Sequence, residues 1–241
     1  MSQISIPDPV LPLPEITWTT RTETLCMEGD PVLDYKLTWP QFPRDTPVLH
    51  KLDRLYTRMA AHWEAYWTKT AFPEACQALT RQRAVSRPFR PWSGGLQGEV
   101  TLHREDLLSL RFEGWEQHGD NRTYRVTWGD TWNLFDGSPC SPRTLLGREK
   151  GGFRALYSQL LTQGRERQTH GTQFFLPHWE QRMKKYFPRY DVWLTPEGIC
   201  LPFPQNSISP AAEGTPFFTI PGEIAVFSQT KKFFKKTKKR G

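Results

Sequence analysis

Apolar residues alternate with polar ones in several short segments of the chain, and this period of two predicts β-strands. Every second residue of Val32–Trp39 is apolar, so we expect this segment to pair with Thr17–Cys26 across a turn at Gly29-Asp30-Pro31. Gln97–His103 and Leu107–His118 predict a second pair of strands. The first half of the chain is therefore expected to contain two hairpins.

Two glycine-containing pairs are interpreted as points where the chain changes direction. Gly129-Asp130 lies between Arg122–Trp128 and Thr131–Phe135, which predicts a third hairpin with the glycine in its turn. Gly94-Gly95 is interpreted as a turn that opens a new section of the chain. This turn lacks the spacing of a phosphate-binding loop.

A helical period replaces the strand pattern between Thr46 and Arg83, where apolar residues recur every three or four positions. Thr46 is a suitable N-cap for a long helix, and Pro73 is expected to kink or divide it. Gly151–Arg167 and Pro177–Tyr186 predict two shorter helices.

The last predicted strands lie in a segment rich in proline and aromatic residues. Asp191–Thr195 and Ile199–Phe203 are expected to pair across a turn at Pro196-Glu197-Gly198. Because Pro202 has no amide donor, the second of these strands is expected at a sheet edge. Phe217–Pro221 predicts one further short strand.

This order of elements predicts an α+β fold in which one long helix and two shorter helices pack on an antiparallel sheet. Residues 1–14 are expected to form a proline-rich arm, residues 15–228 a single domain, and residues 229–241 a basic, disordered tail.

The carboxy-terminal half resembles an RsiV-like bacterial domain of unknown function. Members form the extracytoplasmic domain of RsiV-type anti-sigma factors, or precede the catalytic domain of some peptidoglycan deacetylases. The residues that carry the resemblance are Asp191, Leu194, Pro196, Gly198, Ile199, Phe203, Ile208, Pro210, Ala211, Ala212, Glu213, Gly214, Ile220 and Pro221. The chain departs from the pattern at Pro204-Gln205-Asn206, where the family often has an aromatic residue.

The resemblance extends from about Thr24 to Ile224 and implies recognition of a protein ligand, which is a lysozyme in the anti-sigma factors. The sequence shows neither a sigma-binding segment nor a membrane span. We therefore expect neither lysozyme binding nor sigma-factor inhibition to apply here, and the protein partner stays unidentified. No secretory signal is found at the amino terminus, so a cytoplasmic location is expected.

The net charge of +7 comes from the carboxy terminus, because residues 231–240 carry seven basic residues and no acidic residue. This tail is either a solvated terminus or a site for nucleic acid or anionic membrane, since lysines can bind anions while phenylalanines insert or stack. Its candidate anion-binding residues are Lys231, Lys232, Phe233, Phe234, Lys235, Lys236, Lys238, Lys239 and Arg240.

Residues with catalytic chemistry are scattered along the chain. The six histidines lie in separate segments, and the four cysteines, Cys26, Cys76, Cys140 and Cys200, show no metal-ligand spacing. An even number of cysteines permits two disulfides, although reduced thiols are the simpler expectation. We therefore predict no catalytic residue, no metal site and no cofactor.

These observations favour a non-enzymatic binding or sensor domain of the RsiV-like type. Two other functions stay open: an accessory protein that binds nucleic acid or anionic membrane through its tail, and a cell-wall-associated hydrolase. A binding domain predicts an exposed aromatic patch, whereas an enzyme predicts a cavity with convergent polar groups.

Overall fold

Two β-sheets form the framework of the protein. Its structure is a computed structural model that describes residues 13–119, 123–145 and 152–221. The first sheet has five strands in the spatial order β1-β2-β3-β4-β5: β1 Thr17–Met27, β2 Asp30–Gln41, β3 Trp92–His103, β4 Leu107–Gln117 and β5 Thr123–Asn133. The second has three strands in the order β6-β7-β8: β6 Trp193–Thr195, β7 Gly198–Pro202 and β8 Phe217–Ile220.

The helices lie between these strands in the sequence. They are α1 Pro47–Tyr66, a π-helical segment Trp67–Ala71, α2 Phe72–Ala84, α3 Pro142–Leu145, α4 Gly152–Thr169 and α5 Trp179–Lys185, with a short 3₁₀ turn at Ala211–Glu213. The predicted α+β class is confirmed. The predicted N-cap of the long helix is also confirmed, because the Thr46 hydroxyl accepts a hydrogen bond from the Leu49 backbone N–H.

The long helical segment is the connection that allows β2 and β3 to lie side by side. These two strands are parallel, whereas the other neighbouring strands of the first sheet are antiparallel. A parallel pair needs a crossover connection, and α1 with α2 provides it. The predicted interruption of this helix takes the form of the π-helical segment just before Pro73.

Gly94 and Gly95 lie inside β3, so the predicted turn at this position is wrong. The ring of Trp67 rests directly on Gly94 and occupies the space that a Cβ atom would need. Gly95 has the backbone carbonyl of Lys36 on one side and the indole of Trp115 on the other. Both glycines are therefore required by close packing rather than by a change of chain direction.

Gly129-Asp130 is likewise not a turn, because β5 runs through it as one continuous strand that pairs with β4 along its whole length. The backbone of Val192 and the Cβ of Trp193 press against Gly129, where an added Cβ would lie 2.7 Å from them. The Gly129 N–H also donates a hydrogen bond of 2.9 Å to Oδ1 of Asp191. Gly129 is thus the point where the second sheet docks onto the first.

The strand that contains Pro202 lies at the centre of its sheet, between β6 and β8, so its predicted edge position is wrong. The five residues of β7 are all buried. Pro202 is the last residue of the strand and pairs with Phe217, and the Phe203 N–H then donates to the Pro216 carbonyl. A proline is tolerated here because the pairing of β7 and β8 ends beside it.

Two hydrophobic clusters fill the structure. One packs α1 and α2 against the first sheet, and its largest fully buried side chains include Trp67, Tyr35, Tyr56 and Phe112. The other surrounds the second sheet together with α4 and α5. The docking point at Gly129 lies between these clusters, and Asp130 and Asp191 face each other there across an isolated antiparallel bridge.

A first prediction concerns the close approach at Gly129. We expect Gly129→Ala to lower the free energy of unfolding by about 1–3 kcal/mol, because the added methyl group overlaps the backbone of the second sheet. Urea unfolding measures the change. The control is Gly152→Ala, since no atom lies within 4 Å of the position that its Cβ would take. Equal stability of the two variants would contradict the close packing at Gly129.

A second prediction concerns the carboxyl group of Asp191. Burial raises its pKa to about 7 against the opposing hydrogen bond from Gly129, and the neighbouring Asp130 carboxylate adds to the rise. The folded state therefore binds this proton more tightly than the unfolded chain. The resulting contribution to stability is complete below about pH 4 and is lost as the pH rises through about 7.

Asp191→Asn keeps an oxygen acceptor for Gly129 but removes the titration. We expect the variant to be more stable than the natural protein at about pH 8 and to lose less stability between about pH 5 and pH 8. Some pH dependence remains in the variant, because burial also raises the pKa of Asp130. Urea unfolding at the two pH values measures this difference, and an identical slope for both proteins would disprove the assignment.

Candidate functional site

A groove lined with aromatic side chains lies between the carboxy-terminal half of α1 and strands β4 and β5. Its volume is about 360 Å³. We call it the aromatic groove; the side chains that define it are His62, Trp63, Tyr66, Glu116 and Tyr124. Gln205, from the loop after β7, also lines it, so a segment distant in the sequence contributes to its wall.

Trp63 is positioned by a glycine on the sheet below it. An added Cβ at Gly114 would lie 3.0 Å from the Trp63 ring, so a larger residue would push the ring outward by a few tenths of an ångström. The same indole stacks on Trp128 at 6.2 Å between ring centroids, with an angle of 8° between the planes. Tyr66 packs edge-on against Trp63 at 6.2 Å. These contacts fix the Trp63 ring. The side chain is half-buried and lines the groove.

The carboxylate of Glu116 lies in the groove and is held by two neighbouring side chains. The Tyr66 hydroxyl donates to Oε1 and Oε2 of Glu116 at 2.9 and 3.1 Å. Nε2 of His118 contacts Oε1, and the His118 ring stacks on Trp92 at 3.9 Å. Burial and the nearby carboxylate raise the pKa of Tyr66 above its ordinary value, so this tyrosine stays a neutral donor.

Tyr124 forms the outer wall of the groove. Its side chain is 45% exposed, and its ring lies 6.1 Å from that of His118. His62 is exposed at the opposite rim. The aromatic groove therefore offers several ring surfaces to solvent around one fixed carboxylate.

Other groups that could support catalysis are engaged in the fold. Asp130 accepts a hydrogen bond of 3.0 Å from the Tyr56 hydroxyl, which in turn accepts one of 2.8 Å from Trp132 Nε1. Asp191 is bound by the Gly129 N–H. The Asp130 carboxylate thus joins β5 to α1, and the Asp191 carboxylate joins β5 to the segment that leads into β6.

The four cysteines are unpaired. Burial raises the pKa of Cys140 to about 12, with further contributions from Asp136 and Asp106, so its thiol is far from activation as a nucleophile. Within residues 13–119, 123–145 and 152–221, no group of three or more His, Cys, Asp and Glu side chains is arranged to hold a metal ion. The helices of these same ranges are too short or too polar to cross a membrane.

The candidate residues of the basic tail, Lys231 to Arg240, lie outside the described residues. The aromatic groove was not predicted, because its members come from one helix, two strands and a distant loop. A signal for part of it was present in the sequence. Glu116 and His118 are two residues apart on a strand pattern and must share a face, and Trp63 and Tyr66 are three apart on the long helix.

Comparison with solved structures identifies proteins of similar fold. A member of the DUF3298 family from Bacteroides fragilis superposes with a TM-score of 0.61 at 15% sequence identity, over 88% of this chain and 94% of its own. A DUF3298 family protein from Pseudomonas aeruginosa gives a TM-score of 0.50 at 21% identity, over 87% and 91%. No family model and no curated protein matches the sequence. The chain therefore has the fold of DUF3298 family proteins.

Proposed function

We propose that the protein is a non-enzymatic binding domain of the RsiV-like type, which recognises a protein partner through the aromatic groove. The observation that carries this proposal is the set of half-buried and exposed rings of Trp63, Tyr66 and Tyr124 around the Glu116 carboxylate. Large aromatic side chains at the surface are favoured anchors in protein interfaces, because they bury much area at little cost in conformational entropy. The resemblance of the carboxy-terminal half to RsiV-like domains agrees with this role.

The chemistry of the groove favours a basic side chain of the partner. A lysine or arginine that enters between the rings would make cation–π contacts with Trp63 and Tyr124 and would approach the Glu116 carboxylate. Tyr66 and His118 already hold that carboxylate in place, so little conformational freedom is lost on binding. An acidic or purely aliphatic side chain would gain neither interaction.

Two sequence-based alternatives are separate from this proposal. Binding of nucleic acid or anionic membrane through Lys231 to Arg240 stays a prediction, and so does the expected cytoplasmic location. A cell-wall-associated hydrolase would require activated carboxylates or thiols. Asp130 and Asp191 instead accept hydrogen bonds from Tyr56 and Gly129, and burial raises the pKa of Cys140, which favours binding.

A third prediction tests the groove directly. A photo-crosslinking amino acid, p-benzoylphenylalanine, placed at Tyr124 of the full-length protein should form a discrete adduct with a protein partner in the host cell. The matched control carries the same amino acid at Phe174, which is 69% exposed and does not line the groove. We expect no corresponding adduct from this control.

Affinity measurements with the captured partner then separate the groove from the tail. Tyr124→Ala removes an exposed ring, and we expect it to weaken binding by about tenfold, whereas Phe174→Ala should leave the affinity unchanged. Deletion of residues 231–241 should also leave it unchanged. Equal adducts from both crosslinking positions, or binding that depends on the tail alone, would refute the proposal.

A further inference from the structure

A basic cleft lies beside the amino-terminal half of α1 and has a volume of about 860 Å³. Five residues that carry or can carry positive charge line it: Arg44, His50, Lys51, Arg54 and Arg58. One acidic residue, Asp45, lies in the same lining. A cleft with one predominant sign of charge raises the local concentration of ligands of opposite charge.

Two of the five basic residues serve the fold. Arg44 forms an ion pair of 3.0 Å with the buried carboxylate of Asp53. Lys51 donates to the Gly137 carbonyl at 2.7 Å, and its ammonium lies 5.9 Å from the centre of the Trp132 ring. These contacts fix the wall of the cleft. The Asp53 carboxylate compensates the charge of Arg44, whereas Lys51 is bound to a neutral carbonyl and keeps its positive charge.

The other three basic residues form a stripe along α1. His50, Arg54 and Arg58 follow one another at intervals of four residues and are exposed. In the part of the chain that the structure describes, neither arginine of this stripe forms an ion pair or a side-chain hydrogen bond. A spacing of four residues corresponds to a rise of about 6 Å along the helix, so the stripe presents charges at regular intervals.

An apolar cavity adjoins the basic cleft and shares three lining residues with it, Leu55, Trp132 and Pro139. Its volume is about 360 Å³, and Met59 and Tyr190 complete its apolar wall. The Tyr190 side chain is 56% exposed. A ligand that lies along the stripe can therefore place an apolar group in this cavity without leaving the surface.

We propose that the basic cleft and the adjoining cavity together bind an acidic, extended segment of a partner protein, with an apolar side chain of that segment in the cavity. Side chains on one face of an extended peptide recur about every 7 Å, close to the interval of about 6 Å between successive members of the stripe. Alternate carboxylates can therefore meet His50, Arg54 and Arg58 in turn. Arginine also pairs with a carboxylate through two parallel hydrogen bonds.

The lining favours a peptide over a nucleic acid. Single-stranded nucleic acids are bound by basic grooves whose aromatic side chains offer open faces for base stacking. Trp132 offers no such face, because it is buried, Lys51 lies over its ring, and its N–H is bound to the Tyr56 hydroxyl. Tyr190 in the adjoining cavity offers a single exposed ring rather than a series of stacking positions. The proposed peptide site is also distinct from the aromatic groove, so either surface can fail its test while the other passes.

The test uses two fluorescein-labelled peptides and the full-length protein. One probe is a ten-residue oligo-glutamate, and the other has a Leu-Phe pair at its centre. We expect the double variant Arg54→Glu, Arg58→Glu to weaken binding of both probes by about tenfold or more in fluorescence anisotropy, because it reverses the charge of the stripe. We also expect affinity to fall as NaCl rises from about 50 to about 300 mM.

The matched control is Arg87→Glu, Lys184→Glu, which makes the same change of net charge at exposed positions outside the cleft. It should bind both probes like the natural protein, and the basic tail contributes equally to every variant. Tyr190→Ala should weaken only the Leu-Phe probe, by about threefold. Circular dichroism and thermal unfolding check that each variant is folded.

Two results would overturn the proposal. Equal affinities of the stripe variant and its charge-matched control would show that the cleft does not bind the peptides. Tighter binding of an oligo-thymidylate than of either peptide, lost in the same stripe variant, would assign the cleft to nucleic acid instead.

Discussion

The contact between the Trp67 ring and Gly94 determines how the long helix sits on the first sheet. Trp67 is fully buried, and its Nε1 has no hydrogen-bond acceptor among the described residues. Leaving such a donor unpaired costs about 1–3 kcal/mol, so the packing of the ring must outweigh that penalty. Burial of the indole removes a large apolar area from water, and glycine at position 94 is the residue that lets the ring pack directly on the backbone.

The same contact organises the aromatic side chains around it. Trp67 stacks on Tyr35 and on Trp63, and Trp63 in turn stacks on Trp128. The series begins in the core and ends at the aromatic groove, where Trp63 lies over Gly114. A shift of the helix relative to the sheet would therefore move the groove as well as the core. The candidate binding surface is thus the outer end of the packed interior.

Much of the fold was predictable from local signals. The capping threonine at position 46 and the alternation in Val32–Trp39 each have a physical cause within a few residues, and the structure confirms both elements. The glycines were misinterpreted for a general reason. A glycine in a turn and a glycine beneath a closely packed residue look alike in one sequence, because the residue that occupies the space comes from a distant segment. Trp67 is 27 positions before Gly94, and Trp193 is 64 positions after Gly129.

The candidate site was less predictable than the fold. Its walls combine α1, β4, β5 and a loop near Gln205, and only the folded chain brings these segments together. The basic cleft was not predicted for a different reason. The basic residues from Lys231 to Arg240 account for the entire net charge of +7, so the net charge gives no sign of a basic surface elsewhere. Residues 1–230 are formally neutral, yet α1 places Arg54 and Arg58 with His50 on one exposed face.

A double-mutant cycle on Gly94 and Trp67 tests most directly whether the helix is seated by this one contact. Gly94→Ala should lower the free energy of unfolding by about 1–3 kcal/mol in the natural background, because the methyl group and the ring compete for the same space. In a Trp67→Leu background the same change should cost much less, which gives a coupling energy of about 0.5–3 kcal/mol. If Gly94→Ala costs the same in both backgrounds, the ring does not depend on the glycine and the helix is held by other contacts.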